Sequence, residues 1–139
     1  IKGGARRKTG YISRNYVTSN IDTINLYKLF FTTSYSTDAI NPPEVIVAGP
    51  NEVCTETFLL IGAFKTKEEQ LNCLSYINTK LFKVLLYFGK GTMQVNRSVF
   101  GLVPLQDFSK SWTDEELYKK YGLDKAEIDF IESMIKPME

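Results

Sequence analysis

The order of hydrophobic and polar positions predicts strands in the first half of the chain. Residues 26–35 are rich in aromatic and β-branched side chains, which is typical of a strand. Residues 45–48 form a shorter apolar run, and residues 53–64 form a longer one that contains four consecutive apolar positions. We expect this longer strand to be central and covered on both faces. Bulky and polar residues alternate over 11–17, which favours a further strand with one wet face.

A helical period follows these strands. Leucine and isoleucine recur at three- and four-residue spacing over residues 71–85, which predicts an amphipathic helix or helix pair over 66–89. Thr66 is the predicted N-cap, and the glutamates of the first turn complement the helix dipole. We expect the helix to bend or break near Asn78 and Thr79.

The chain then changes character twice. Residues 90–97 form a polar loop, and an apolar run over 99–103 ends on Pro104. Because proline lacks an amide donor, we expect it to end or edge a short strand. The tail predicts two short helices, one opened by a capping box at Thr113 and one capped by Asp124.

Together these elements predict an α+β fold. A mixed, mainly antiparallel sheet packs against the helix or helix pair at 66–89, and two short C-terminal helices follow. A length of 139 residues, 43% of them hydrophobic and 13% aromatic, suits one folded domain or a piece of a larger protein. The first ten residues show neither a cap nor a clear period, and we expect the chain to be a fragment of a longer polypeptide.

Charge divides the sequence into two parts. Residues 1–110 carry 13 Lys and Arg against 8 Asp and Glu, whereas residues 111–139 carry 4 against 8. We therefore expect a mildly basic domain over 1–110 and an acidic helical tail over 111–139, packed on that domain or on a missing one. No apolar run is long enough for a membrane span, so we expect a cytoplasmic protein without a membrane partner.

Composition excludes several kinds of site. Two cysteines without any histidine cannot form the usual zinc sites, and Cys54 and Cys73 are expected to be buried, reduced thiols. Histidine-based acid–base catalysis is excluded, and no lysine has an acid two residues before it, as metal-dependent restriction nucleases require. We expect no metal and no catalytic residue in this chain, and a stand-alone nuclease is disfavoured.

Two motifs resemble catalytic ones without matching them. Residues 41–44 read Asn-Pro-Pro-Glu, one residue away from the Asn-Pro-Pro-aromatic motif of amino methyltransferases, but Glu44 cannot stack on a flipped base. A turn before the strand at 45–48 is the favoured interpretation. Residues 89–92 read Gly-Lys-Gly-Thr, but the Walker pattern needs a glycine where Val84 stands. Neither motif predicts a cofactor site.

The distribution of positively charged and polar residues is suited to binding a polyanion. The loop over 90–97 carries no acid, and the first acid of the chain, Asp22, follows five cations. Lysine and arginine neutralise phosphates, while glutamine, asparagine and arginine can bond base edges in a groove. The candidate DNA contacts are the loop residues Lys90, Thr92, Gln94, Asn96 and Arg97, the strand residues Lys28 and Ser34, and the N-terminal residues Arg6, Arg7, Lys8 and Arg14. Tyr35 is a weaker candidate, since a core or edge aromatic is the favoured interpretation.

A series of segments gives this pattern a family resemblance. They read YKLF at 27–30, EVCTETFLLIG at 52–62, LSYINTKLF at 74–82, VFGLVPLQDF at 99–108, WTDEELYKKYG at 112–122 and IDFIESMIKP at 128–137. In this order they resemble the C-terminal region of adenine-specific DNA methyltransferases of the Eco57I and TaqI type, from bacterial type II restriction-modification systems. The resemblance runs from about residue 11 to the end.

The resemblance implies a target recognition domain that binds double-stranded DNA and finds a short sequence. A separate N-terminal methyltransferase domain of the same polypeptide would bind S-adenosylmethionine and methylate adenine N6, with or without a fused endonuclease. This chain lacks that domain, so the fragment itself is expected to be non-catalytic and to hold no cofactor.

An alternative function is that of a protein-interaction or scaffold domain. Under this hypothesis the acidic tail uses its apolar residues to dock a partner subunit or the missing domain. They are Trp112, Leu117, Tyr118, Tyr121, Ile128 and Ile131. At helical spacing such residues are more often local core than interface.

Overall fold

The computed structural model describes residues 8–36 and 38–135, and it confirms the α+β fold class. Within these residues a three-stranded antiparallel sheet is joined by four α-helices and three 3₁₀ helices. The strands are β1 Tyr27–Thr32, β2 Ile46–Ala48 and β3 Phe58–Phe64, and the α-helices are α1 Lys67–Ile77, α2 Lys80–Gly89, α3 Asp114–Lys120 and α4 Lys125–Met134. The 3₁₀ helices are Arg14–Tyr16, Ile21–Thr23 and Arg97–Leu102.

The central strand of the sheet is β1, and the expectation that the strand at 53–64 is central was wrong. The strand order is β2-β1-β3, so β3 pairs on one side with β1 and all seven of its residues are only partly buried. In β1, by contrast, four consecutive residues are buried, and Leu29 and Phe31 belong to the main core. A run of apolar residues predicts that a strand is covered by other parts of the protein. An edge strand can also be apolar when a helix packs against it, so the run does not establish a central position in the sheet.

The helix pair follows the sequence prediction closely. Thr66 and Glu69 form a reciprocal capping box at the start of α1. The predicted break falls between Ile77 and Lys80, where the Thr79 hydroxyl caps α2 by accepting from the Phe82 amide. Inside the core, the buried Gln70 amide donates to the Lys28 oxygen at 2.7 Å and to the Ala48 oxygen at 2.8 Å. One side chain of α1 thereby fixes the helix to β1 and β2.

Two predicted strands are not strands. Residues 11–17 are mostly exposed and contain the 3₁₀ helix Arg14–Tyr16, without a partner strand among the described residues. The apolar run at 99–103 lies largely in the 3₁₀ helix Arg97–Leu102, which packs on the end of α2. There a Cβ on Gly89 would lie 2.2 Å from the Val99 carbonyl oxygen, so this contact requires glycine.

The acidic tail shares the core of the rest of the chain. Both predicted caps are confirmed, since Thr113 and Asp124 form capping boxes and Gly122 turns the chain between the helices at φ 62°. Helices α3 and α4 both contact α2. The Asp114 carboxylate accepts from the amides of Lys80 and Leu81, each at 3.1 Å, and so caps α2 from outside.

The described part of the chain contains no helix that is both long enough and apolar enough to cross a membrane. Both cysteines are free, with Cys73 buried and Cys54 half-buried. Desolvation raises the pKa of Cys73 to about 12 and also raises the pKa of Cys54, so both thiols stay protonated near neutral pH.

Candidate nucleic-acid interface

The loop at 90–97 is fixed to the end of β1 by main-chain hydrogen bonds. The Val95 amide donates to the Thr33 oxygen at 2.7 Å, and the Tyr35 amide donates to the Met93 oxygen at 3.2 Å. Ser34 and Gln94 form an isolated antiparallel bridge between these two bonds. The Val95 side chain is buried in the core. The loop therefore has a defined position on the sheet.

Apart from Lys90 and Val95, all side chains of this loop are exposed. Thr92, Gln94, Asn96 and Arg97 are exposed on either side of the buried Val95. Ser34, sixty residues earlier in the chain, is exposed beside Gln94. Five of the predicted contact residues therefore lie in one region, and we call them the reading surface: Ser34, Thr92, Gln94, Asn96 and Arg97.

The members of the reading surface differ in their free hydrogen-bonding capacity. The Asn96 side-chain oxygen accepts from the amide and hydroxyl of Ser98 and caps the 3₁₀ helix Arg97–Leu102. The Thr92 hydroxyl accepts from the Gln94 amide at 3.2 Å. In the described part of the chain, neither the Gln94 side-chain amide nor the Arg97 guanidinium has a hydrogen bond or an ion pair. These two groups are therefore available to an external partner.

Lys90 was predicted to contact DNA, but its side chain is buried. Its ammonium donates to the Ser36 carbonyl oxygen and lies 3.5 Å from the centre of the Tyr35 ring, a cation–π arrangement. Burial lowers the pKa of Lys90, and nearby Asp38 opposes that shift. Tyr35 packs edge-on against Phe31, as a core or edge aromatic. Lys90 thus holds the chain after β1 against the end of α2, and we remove it from the candidate contacts.

Lys28 is also buried, with an exposed fraction of 2%. Its ammonium lies within 3.1 Å of four carbonyl oxygens, those of Thr23, Ile24, Leu26 and Gly49. Desolvation lowers the pKa of Lys28, and the charge of Glu52 partly offsets this. An ammonium in this cage cannot reach a phosphate, so Lys28 is removed from the candidate contacts as well.

The N-terminal cations are not joined to the reading surface. Lys8 and Arg14 are exposed, and the nearby residues Ile12 and Tyr16 line a pocket together with Phe30 of β1. Arg6 and Arg7 lie outside the described residues. The structure therefore brings Ser34 to the loop, whereas among the described residues neither Lys8 nor Arg14 has a hydrogen bond or an ion pair to it.

Sequence reasoning missed a set of threonines at the same end of the sheet. The Thr33 amide and hydroxyl both donate to the Thr57 carbonyl oxygen at 3.0 Å, and the hydroxyls of Thr55 and Thr57 lie 2.8 Å apart. Glu56 is an exposed acid between them. The antiparallel pairing of residues after β1 with those before β3 brings them there, and that register was the only available signal.

The other candidate features have structural roles or no clear contact. Residues 41–44 lie before β2, where a turn was predicted; the Asn41 side-chain oxygen is buried without a partner, and Glu44 is exposed. The tail residues proposed for docking lie mainly in the core, since Trp112, Leu117 and Ile131 are buried. Among the residues that the structure describes, no three His, Cys, Asp or Glu side chains are grouped to hold a metal ion.

Comparisons with protein-family models, with curated proteins and with solved structures found no match to this chain.

Proposed function

We propose that this chain recognises duplex DNA through the reading surface, as the target recognition region of an adenine-N6 methyltransferase of a restriction-modification system. In this proposal the catalytic domain and its S-adenosylmethionine belong to another part of the parent protein. The chain contributes the choice of DNA site and no methyl transfer of its own.

The observation that carries the proposal is the pair of unpartnered groups on a fixed loop. Arginine can donate two hydrogen bonds to guanine O6 and N7, and glutamine can bond adenine N6 and N7. Arg97 and Gln94 are exposed, and the buried Val95 between them fixes the main chain that carries both. Base readout needs such placement, because a side chain on a mobile loop loses conformational entropy on binding.

The remaining members of the surface suit the sugar-phosphate backbone. Hydroxyl and amide side chains make many of the contacts that set the position of a protein on a duplex without reading its sequence. Ser34, Thr92 and Asn96 are such groups, and they flank Gln94 and Arg97. Glu56 near the same end of the sheet would oppose a phosphate, so the proposed duplex lies on the loop side of this surface.

The test is the affinity of the chain for a mixed-sequence duplex, measured by fluorescence anisotropy at several salt concentrations. Affinity should fall as salt rises, because each phosphate contact releases counterions. Arg97→Ala should weaken binding by about 1–3 kcal/mol. Lys65→Ala is the matched control, since it removes one exposed positive charge just after β3, at the opposite end of the sheet.

The proposal would be overturned by a chain that shows no duplex affinity even at low salt. It would equally be overturned if Arg97→Ala and Lys65→Ala weakened binding by the same factor, because net charge alone would then account for the attraction.

A further inference from the structure

A cavity of about 460 Å³ lies between β3, the helix pair and the segment after α2. Its volume falls in the range of sites that enclose small organic ligands, roughly 300–1,000 Å³. Five aromatic rings line it, together with one charged side chain. These residues are Phe58, Tyr76, Phe82, Phe100, Phe108 and Arg97.

The walls of the cavity are aromatic and held in place. The rings of Tyr76 and Phe82 meet edge to face at 5.3 Å, and Phe100 and Phe108 extend the cluster at 6.4 Å and 6.1 Å. The Tyr76 hydroxyl donates to the Pro104 oxygen at 2.7 Å, which fixes its ring. Cys73 adds a protonated thiol, since desolvation raises its pKa to about 12. Such walls favour a flat aromatic body over a hydrated polar one.

Arg97 supplies the charge of the site. Its side chain is exposed, lines the cavity, and has no ion pair within the described residues. Asn20 lines the same cavity and is also exposed. A guanidinium bonds carboxylates and sulfonates through two parallel donors. The complementary ligand therefore combines an aromatic body with one negative group.

From this arrangement we propose that the cavity binds small aromatic anions, with the rings against Tyr76, Phe82 and Phe100 and the anionic group on Arg97. The site does not depend on the DNA proposal, because it can be occupied without any duplex. The two share Arg97, so a bound anion would occupy one of the groups that the duplex is proposed to use.

The test uses 2-naphthoate as the probe and the whole chain labelled with ¹⁵N for NMR titration. Saturable shifts should appear in the amides of residues 58–61 and of Arg97, Phe100, Val103 and Leu105, which line the cavity. The uncharged analogue 2-naphthalenemethanol should bind about tenfold more weakly, since a charge-assisted hydrogen bond contributes roughly that factor. The cationic analogue 2-naphthylmethylamine should bind more weakly still.

Two variants separate the charge from the cavity. Arg97→Ala should weaken naphthoate about tenfold and leave the uncharged alcohol unchanged. Val103→Trp should fill the cavity and abolish binding of both probes, whereas Leu102→Trp should not, because Leu102 is 55% exposed and does not line the cavity. Because Arg97 is exposed, Arg97→Ala should keep the fold. This variant therefore tests the proposed site even if Val103→Trp unfolds the protein.

Three results would overturn the site: no saturable shifts with 2-naphthoate, equal affinity for naphthoate and the alcohol, or unchanged naphthoate binding by Arg97→Ala. All are measured without DNA, so they are distinct from a failure of duplex binding. A chain that binds naphthoate and no duplex retains the ligand site and loses the DNA proposal.

Discussion

At the scale of single residues, two lysines show how a charged side chain becomes part of a core. A sequence favours lysine on the surface, because an isolated buried charge is costly. Lys28 avoids that cost through four carbonyl oxygens, and Lys90 through one carbonyl and an aromatic ring. The carbonyls around Lys28 come from a 3₁₀ turn and from the end of β2, 21 residues away. The local sequence around Lys28 gives no sign that its ammonium will contact carbonyl oxygens from both segments.

Replacing Lys28 should therefore destabilise the protein. Lys28→Met keeps the length of the side chain but leaves buried carbonyls without a donor, and we expect a loss of about 2–4 kcal/mol in the free energy of unfolding. Lys65→Met is the control, since Lys65 is exposed and should change stability little. Urea denaturation followed by circular dichroism measures both. A Lys28→Met protein as stable as the control would show that the cage contributes nothing.

At the scale of elements, sequence patterns predicted the helices better than the strands. Helix caps are local, and the sequence predicted Thr66, Thr113 and Asp124 as caps, each of which forms a capping box in the structure. A strand exists only with a partner, so the alternation over residues 11–17 was not sufficient. The run after Asn96 became a 3₁₀ helix because the Asn96 side chain caps it and Gly89 admits Val99 close to α2.

Local sequence patterns were equally insufficient to predict how the candidate site is assembled. The polar loop was visible in the sequence, because residues 90–97 carry no acid. Its alignment beside Ser34 depends on a bridge between positions 34 and 94, and the exclusion of Lys90 depends on a contact with Tyr35. Both are long-range tertiary contacts, which periodicity and composition do not encode.

Between elements, Asp114 caps α2 from the start of α3, and this contact can be tested alone. Asp114→Ala removes the acceptor for the amides of Lys80 and Leu81, and we expect a loss of about 1 kcal/mol, as for other N-cap deletions. Asp129→Ala is the matched control, because Asp129 makes an exposed pair with Lys125 that contributes little. Thermal denaturation compares the two variants. Equal losses would contradict a capping role.

At the scale of the whole molecule, the body and the acidic tail are joined by one core and by polar contacts. Leu117, Tyr118 and Ile131 of the tail helices belong to the same buried cluster as Leu29 and Phe31 of β1. Glu132 on α4 pairs with Lys80 on α2 and accepts from the Tyr118 hydroxyl at 3.0 Å. The tail therefore stabilises the helix pair whose end carries the loop of the reading surface.

The Glu132 contacts predict a pH dependence. The hydrogen bond from Lys80 lowers the pKa of Glu132 below 4.5, so the folded state binds its proton more weakly than the unfolded state. The stabilisation is then complete above pH 4.5 and is lost as pH falls through the lowered folded-state pKa. Wild type should exceed Glu132→Gln in stability at pH 6, and the difference should shrink toward pH 3. A difference that stays constant with pH would contradict this linkage.

The central claim is that Gln94 and Arg97 choose a DNA sequence, and selection of bound duplexes from a random library tests it most directly. The wild-type protein should enrich one short motif. The double variant Gln94→Ala and Arg97→Ala should lose specified positions within that motif while keeping salt-dependent, non-specific affinity. Enrichment of the same motif by wild type and double variant would contradict the claim, as would the absence of any motif with the wild-type protein.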